Sequence, residues 1–429
     1  MIPWFGDLQP FRRDPLGFFF ERGTQSKEPF VKLSMGFAPV YLVADPAYIK
    51  PIMKASEDAI DKGRLIYKLR EVIGQSSMVL SGERHRERRA VIHAQLARGL
   101  ASTYVRQMSA IIRRQAVLLA REQVFDAHQA AAPLALRMIS MILFGSGALS
   151  SGDENALVEA VHLVEDDLAA GMFKIVPDLP WVKRRKKKKL LEGRKIMSLV
   201  VNRARAKAAE SSLLRSLQPL NLSDEELNDE VLLLFLAGHH TSGTAAAWLL
   251  YHLAINESLC NAIAHEARSV SDDTGEIRPD LLKNATLSLA AGRETLRLFP
   301  SAYWLSREAK QTVELGGYKF KRGTSFLMSA WHLHRDPRYW DRPEEFDVSR
   351  PHMKNPAYIP FGAGPRACVG MGVGLLELQL LALEMAASLE FKDVSPFPAP
   401  RPKPSITLIP PPIRIEVGLR QTVKTAAVA

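Results

Sequence analysis

The sequence predicts a mainly α-helical protein with a small β region, organised as a single large domain over residues 1–429. Three observations predict it. Apolar residues recur at helical spacing through 83–145, 154–171, 182–210 and 224–256. Short alternating runs are confined to the beginning of the chain and to its last third. The 429 residues, 47% hydrophobic and 24% charged, contain no Gly/Ser linker, repeat or long low-complexity tract. Length alone suggests about three domains, but nothing in the composition divides the chain. Such a chain can bury a core and still enclose a bound group.

Taken in order, Pro29 to Leu33 and Val40 to Val43 read as strands parted by a turn at Gly36. Asp45-Pro46 stops them and opens a short helix. Within 83–145, Pro133 is read as opening a helical segment. Ser223 and Glu226 form a capping box ahead of 224–256. After Pro300 strands return at 309–315, 317–320 and 325–328. A long apolar helix covers 375–389. The tail segments 405–409 and 413–417 alternate as the arms of a hairpin would. The β region is thus expected from 29–43, 309–328 and 405–417.

Two cysteines, Cys260 and Cys368, make no disulfide framework. The start, Met1-Ile2-Pro3-Trp4-Phe5-Gly6-Asp7, has no basic segment followed by an apolar one. The longest uninterrupted apolar run, 231–237, is too short to span a bilayer. A soluble, cytoplasmic protein is expected. The net charge is +11, much of it in Lys183, Arg184, Arg185, Lys186, Lys187, Lys188 and Lys189. This run reads first as a solvated helix start. The alternative is peripheral contact with the inner face of an anionic membrane, because the apolar, proline-broken stretch 173–181 precedes it. Nucleic acid is not expected as a partner, since no recognition fold or interleaved aromatic surface accompanies the run.

The most informative stretch is Phe361-Gly362-Ala363-Gly364-Pro365-Arg366-Ala367-Cys368-Val369-Gly370. Glycines permit turns that bring backbone N–H groups close to a sulfur. The helix start that follows favours its anionic form. Alone, a cysteine among glycines is usually a small buried residue, but other patterns accompany this one. Glu294 and Arg297 lie three apart on a helix, so they share a face and can pair. Phe346-Asp347-Val348-Ser349-Arg350 follows, and Trp331 to Pro337 precedes it. His85 and Arg89 share a helix face after Gly82. Arg307 ends Tyr303-Trp304-Leu305-Ser306-Arg307. Ala237-Gly238-His239-His240-Thr241-Ser242 places polar groups inside an apolar helix, which is costly unless they are satisfied.

Together these residues resemble the cytochrome P-450 family, across most of the chain. The Cys368 loop resembles the family's Phe-x-x-Gly-x-Arg-x-Cys-x-Gly. The resemblance implies the cytochrome P-450 fold, haem b as cofactor and Cys368 as its iron ligand, within a loop carrying Phe361, Gly362, Arg366 and Gly370. It implies that His85, Arg89, Arg307 and Arg366 meet the haem carboxylates. Glu294, Arg297 and Arg350 would form a bracing triad, although the family's proline is missing at Val348. Above the iron, in a catalytic group that begins at Ala237, Gly238 would leave room for dioxygen, and Thr241 would supply the alcohol for oxygen activation. The family's carboxylate position holds His240. Adjacent helical residues point about 100° apart, so His239 and His240 chelate poorly, and His240 is expected to relay protons. The His-His-Thr-Ser version is similar to that of sterol 14α-demethylases, but residues 66–78 lack the Tyr/Phe-rich pattern that would go with it.

The expected activity is that of a haem-thiolate monooxygenase. It would insert one atom of O2 into a hydrophobic small molecule of the terpenoid, steroid or fatty-acid kind. Its electrons would come from a separate ferredoxin and ferredoxin reductase, steered by Arg84, Arg86 and Arg88. The pocket is expected from residues 66–79, 173–179, 233–241, 302–305 and 408. Two alternatives stand beside it: a haem-thiolate enzyme that uses peroxide or isomerises its substrate, and a non-catalytic haem sensor.

Overall fold

A computed structural model describes residues 5–99, 103–150, 152–160, 163, 179–398 and 401–421. Its axis is the helix Asp224–Ile255, 32 residues long, started by the Ser223–Glu226 capping box. The helices Ala127–Phe144 and Met371–Ser388 pack along it and share the main apolar core with Thr103–Glu122 and Glu257–Ser269. Two small residues allow the closest of these approaches. A Cβ on Gly238 would lie 2.8 Å from Ile139, and one on Gly243 would lie 3.2 Å from the Ala132 Cα. By length and hydropathy Ala127–Phe144 and Met371–Ser388 could each cross a membrane, but 72% and 67% of them are buried within the protein.

The helical stretch 83–145 resolves into Gly82–Gly99, Thr103–Glu122 and Ala127–Phe144, the last two separated by a short strand, β4 (Val124–Asp126). Pro133 lies inside the last helix and does not open it. Asp126 sets the start instead, accepting bonds from the N–H groups of His128 (3.0 Å) and Gln129 (2.9 Å). Of the helix expected over 154–171, residues 152–160 are helical and most of the rest lies outside the described residues.

The first strands, β1 (Phe30–Leu33) and β2 (Val40–Val43), join later ones in a five-stranded sheet. The other members are β3 (Ile60–Asp61), β5 (Leu305–Ala309) and β8 (Ser325–Met328), in the order β1-β2-β8-β5-β3. The expected run 309–315 therefore divides. Its end forms β6 (Val313–Leu315), which turns through Gly316 and Gly317, both at positive φ, into β7 (Tyr318–Phe320). The tail corrects another expectation: 405–409 and 413–417 do not pair with each other. β11 (Leu408–Ile409) pairs with β10 (Lys403–Pro404), and β12 (Arg414–Leu419) pairs with β9 (Leu389–Ser395) and β4. Pro410, Pro411 and Pro412 stand between the two arms. They lack N–H donors and have fixed φ, so no tight hairpin closes there.

Candidate haem-thiolate site

The Cys368 loop needs its glycines. Gly362 (φ 67°) and Gly364 (φ 71°) are left-handed, and a Cβ on Gly364 would lie 2.3 Å from the Met53 carbonyl oxygen. The turn is closed by the Cys368 N–H donating to Phe361 O at 2.9 Å. Gly370 caps the helix Met371–Ser388. Cys368 is exposed at the surface of its loop, yet desolvation by the protein around it pushes the thiol up, while the Gly370 N–H and the Arg89 guanidinium pull it down without fully offsetting this. The chain alone thus keeps the proton on sulfur, and a bound metal cation would displace it.

Basic side chains gather around this loop. Arg89 donates to Ala367 O at 2.7 Å and so braces the residue before the cysteine. Arg366 is engaged within the protein: its Nε donates to Glu57 at 2.9 Å and its Nη2 to Leu80 O at 2.7 Å. His85 is buried, with Nδ1 3.9 Å from Glu57. Burial and the Arg366 charge push it down to about 4, so it is neutral at pH 7. Arg307 is only 9% exposed, and its Nη1 donates to Ser306 O at 2.8 Å. Among the described residues it has no ion pair. Lys62 joins the group unforeseen: its Nζ donates to Leu80 O at 2.8 Å, and burial and Arg366 push it down to about 8. Asp61-Lys62 looks like an ordinary surface pair in sequence, so no signal marked it.

On the long helix, Ala237 and Thr241 share one face, a turn apart. Thr241 Oγ1 donates to Ala237 O at 2.6 Å, and the Thr241 carbonyl accepts from Ser301 Oγ at 2.8 Å. Gly238 faces Ile139, so helix packing gives a further reason for that glycine. The rings of buried His239 and half-buried His240 lie 5.0 Å apart and tilted by 60°. Ser242 donates to Glu377, a buried acid on Met371–Ser388 that burial pushes up to about 7. Glu377 and Glu384 are the two acids of a largely apolar helical run, and that was the available signal for Glu377.

The sequence profile of cytochrome P-450 matches residues 1–417. The chain belongs to the cytochrome P-450 family. Cytochrome P-450 132 of Mycobacterium bovis is 26% identical over 86% of this chain and 85% of that one. Cyclooctat-9-en-7-ol 5-monooxygenase of Streptomyces melanosporofaciens is 26% identical over 92% and 88%. Cytochrome P-450 3A27 of Oncorhynchus mykiss is 34% identical, but over 41% of this chain and 35% of that one. Cytochromes P-450 bind haem b, and this chain is accordingly an oxidoreductase of the monooxygenase class. The residues present fit that cofactor. A cysteine sulfur sits at a helix start, and a buried guanidinium without a carboxylate lies among further bases, as a dianionic macrocycle edge requires.

The P-450 triad is assembled and extended. Arg297 donates to Glu294 from Nε (2.8 Å) and Nη2 (2.7 Å), with both residues fully buried. Arg350 Nε reaches Glu294 at 3.2 Å, and His352 Nε2 adds a fourth member at 2.6 Å. Arg297 also donates to the carbonyls of His334, Pro343 and Glu345. His334 links this group to the cysteine loop: Nδ1 bonds Arg297 O at 3.0 Å, and Nε2 accepts from Ile359 N at 2.9 Å. The missing proline at Val348 is offset by Asp347, which accepts from Ser349 N (2.9 Å) and Oγ (2.6 Å).

Around the expected pocket, Ile73 and Val79 pack against Leu233 of the long helix. Leu408 is corrected: it is fully buried with Leu16, Tyr303 and Trp331, so it belongs to a small core. Residues 173–178 lie outside the described residues. The arginines expected to steer a donor are corrected too. Arg88 is buried against Glu230 and Glu226, and Arg84 also pairs with Glu226, leaving only Arg86 of the three exposed without an ion pair among the described residues.

Proposed function

We propose that the chain, acting as one domain, inserts one atom of O2 into an apolar small molecule of terpenoid, steroid or fatty-acid character. The Cys368 loop carries this reading: a sulfur at a helix start, on a turn that only glycines can make and that Arg89 braces. Bound haem would supply the activation of dioxygen. Cys368 would hold the haem iron through its sulfur. Arg307, with His85, Arg89 and Arg366, would hold the haem carboxylates. Arg366 would then be shared between Glu57 and one of them. Thr241 Oγ1, now bonded to Ala237 O, would turn its proton toward the reacting oxygen. His240 would relay protons from the protein. Glu377 would keep a proton near neutral pH and hold Ser242, the neighbour of Thr241, in place. The segment packed on Leu233 would exclude water from the substrate.

Thr241→Ala is the direct test. The variant should bind substrate as before, yet form about 10²–10⁴-fold less product, the usual worth of a positioned proton donor. The measurement is product formed per reducing equivalent consumed. Unchanged coupling would remove Thr241 from the oxygen-handling role.

A separate ferredoxin, with its reductase, would supply the electrons in the cytoplasm. Peripheral contact with an anionic membrane is a second reading of the basic run. It is favoured by two apolar side chains beside that run, Leu179 (54% exposed) and Trp181 (65% exposed), at the start of the helix Pro180–Lys207. Each base near such a surface contributes about 1 kcal/mol. Co-sedimentation with vesicles should need anionic lipid, weaken with salt and vanish when the seven bases become glutamine. Equal partitioning of both proteins leaves only a solvated helix start.

A further inference from the structure

The long helix opens at one turn. Ala237 is exposed and Thr241 half-buried, whereas every residue from Gly243 to Leu253 is buried. At the open turn Thr241 Oγ1 donates back to Ala237 O at 2.6 Å, a bond of the kind that bends or loosens a helix. The Thr241 carbonyl accepts a second hydroxyl from outside the helix, Ser301 Oγ at 2.8 Å. Ser301 is 6% exposed, and it grips the main chain of Thr241, not its side chain.

The segment that carries Ser301 is fixed independently of that bond. Phe299 stacks on Trp248 of the long helix, with ring centroids 3.7 Å apart and planes 5° apart. Pro300 has a fixed φ. The Tyr303 carbonyl accepts from Trp331 N at 3.1 Å and from Ser329 Oγ at 3.3 Å. On the long helix, Thr241, Thr244 and Trp248 share a face at spacings of three and four. Thr244 Oγ1 is hydrogen-bonded to Thr407 Oγ1 at 2.9 Å, and Trp248 Nε1 donates to Leu408 O at 3.0 Å. That face is therefore anchored turn by turn, and Ser301 holds it where the open turn begins.

We propose that Ser301 is a positioning residue for oxygen handling: it pins the main chain of Thr241, so that the Thr241 hydroxyl can leave Ala237 O and turn its proton toward the reacting oxygen while the helix turn stays in place. This role rests on the one proposed for Thr241. A back-bonded threonine that lets go of its acceptor removes a restraint from its own turn. The Ser301 bond survives that rotation, because it ends on the carbonyl. Without Ser301 the Thr241 hydroxyl would be spread over several positions, and small displacements of a positioned group weaken catalysis steeply.

The test needs no substrate. The infrared carbon–oxygen stretch of carbon monoxide, bound to the reduced haem-loaded protein, senses the polar groups beside the gas. Thr241→Ala should shift the band. Ser301→Ala should split or broaden it, and Ser301→Thr, which keeps a hydroxyl, should restore the wild-type shape. In the Thr241→Ala background, Ser301→Ala should change nothing further. A bond that is merely structural would lower stability in Ser301→Ala and leave the band as it was, and that result would overturn the positioning role alone. A further change of the band in the double variant would also overturn it, since Ser301 would then act without Thr241. A band that Thr241→Ala does not move would overturn both roles, that of Thr241 and that of Ser301.

Discussion

Cys368→Ala should yield a folded protein that has lost the red-shifted Soret band of a reduced, carbon-monoxide-bound thiolate haem. No turnover should remain. Cys260→Ala should keep both, because Cys260 lies buried in the core beside Arg420, with burial pushing its thiol up. The loop itself should survive the change. Its turn is made by Gly362, Gly364 and backbone bonds, and the Arg89 brace ends on Ala367 O, not on the sulfur. Haem binding should weaken without vanishing, since Arg307 and its neighbouring bases remain. A thiolate-type band surviving in Cys368→Ala would show that the iron ligand had been misassigned.

Arg297→Leu should be the most destabilising single change outside the loop. It leaves the Glu294 carboxylate buried with less compensation and orphans the carbonyls of His334, Pro343 and Glu345. Breaking a buried pair in this way costs about 3–5 kcal/mol. Arg297→Lys should rescue little, because one ammonium cannot reproduce the fork. Denaturant midpoints of the haem-loaded proteins measure this, and a loss below about 1 kcal/mol would reduce the triad to an ordinary surface pair. The same group sets the acid limit. Burial pushes Glu294 up, but bonds from Arg297 and His352 outweigh it and hold the acid down to about 2. Burial pushes His334 down to about 3. Unfolded, such groups take protons near 4.5 and 6.5. The unfolded chain therefore holds more protons throughout that window. Stability should be full above about pH 6.5 and fall steadily as the pH drops towards 2.

Much of this was legible because local chemistry dictates it. A capping box, a glycine turn before a helix and a pair three residues apart depend on neighbours in sequence. The long helix and the cysteine loop could therefore be read directly. What escaped depends on distant partners. Lys62 gains its place from Leu80, 18 residues away, and from distant Arg366, and His352 from Glu294, 58 residues away. Arg88 looks like part of a charged surface until Glu226 and Glu230 of another helix close over it, while Arg84 stays exposed and pairs with Glu226. The tail misled for a different reason. Alternation shows that a segment is a strand but not which strand it joins, and Pro410 to Pro412 decided that question. Gly238 shows the same limit: packing against Ile139 supplies a reason for the glycine that the motif alone did not suggest.

The proposed site would place one atom of dioxygen into an apolar molecule. Apolar compounds that shift the Soret band of the haem-loaded protein from low to high spin identify a substrate. Turnover of that substrate with ferredoxin and reductase under isotope-labelled dioxygen, in unlabelled water, then tests the claim by mass spectrometry. Product should carry one labelled oxygen atom, with the other in water. Unlabelled product, or product formed only from added peroxide, would contradict it.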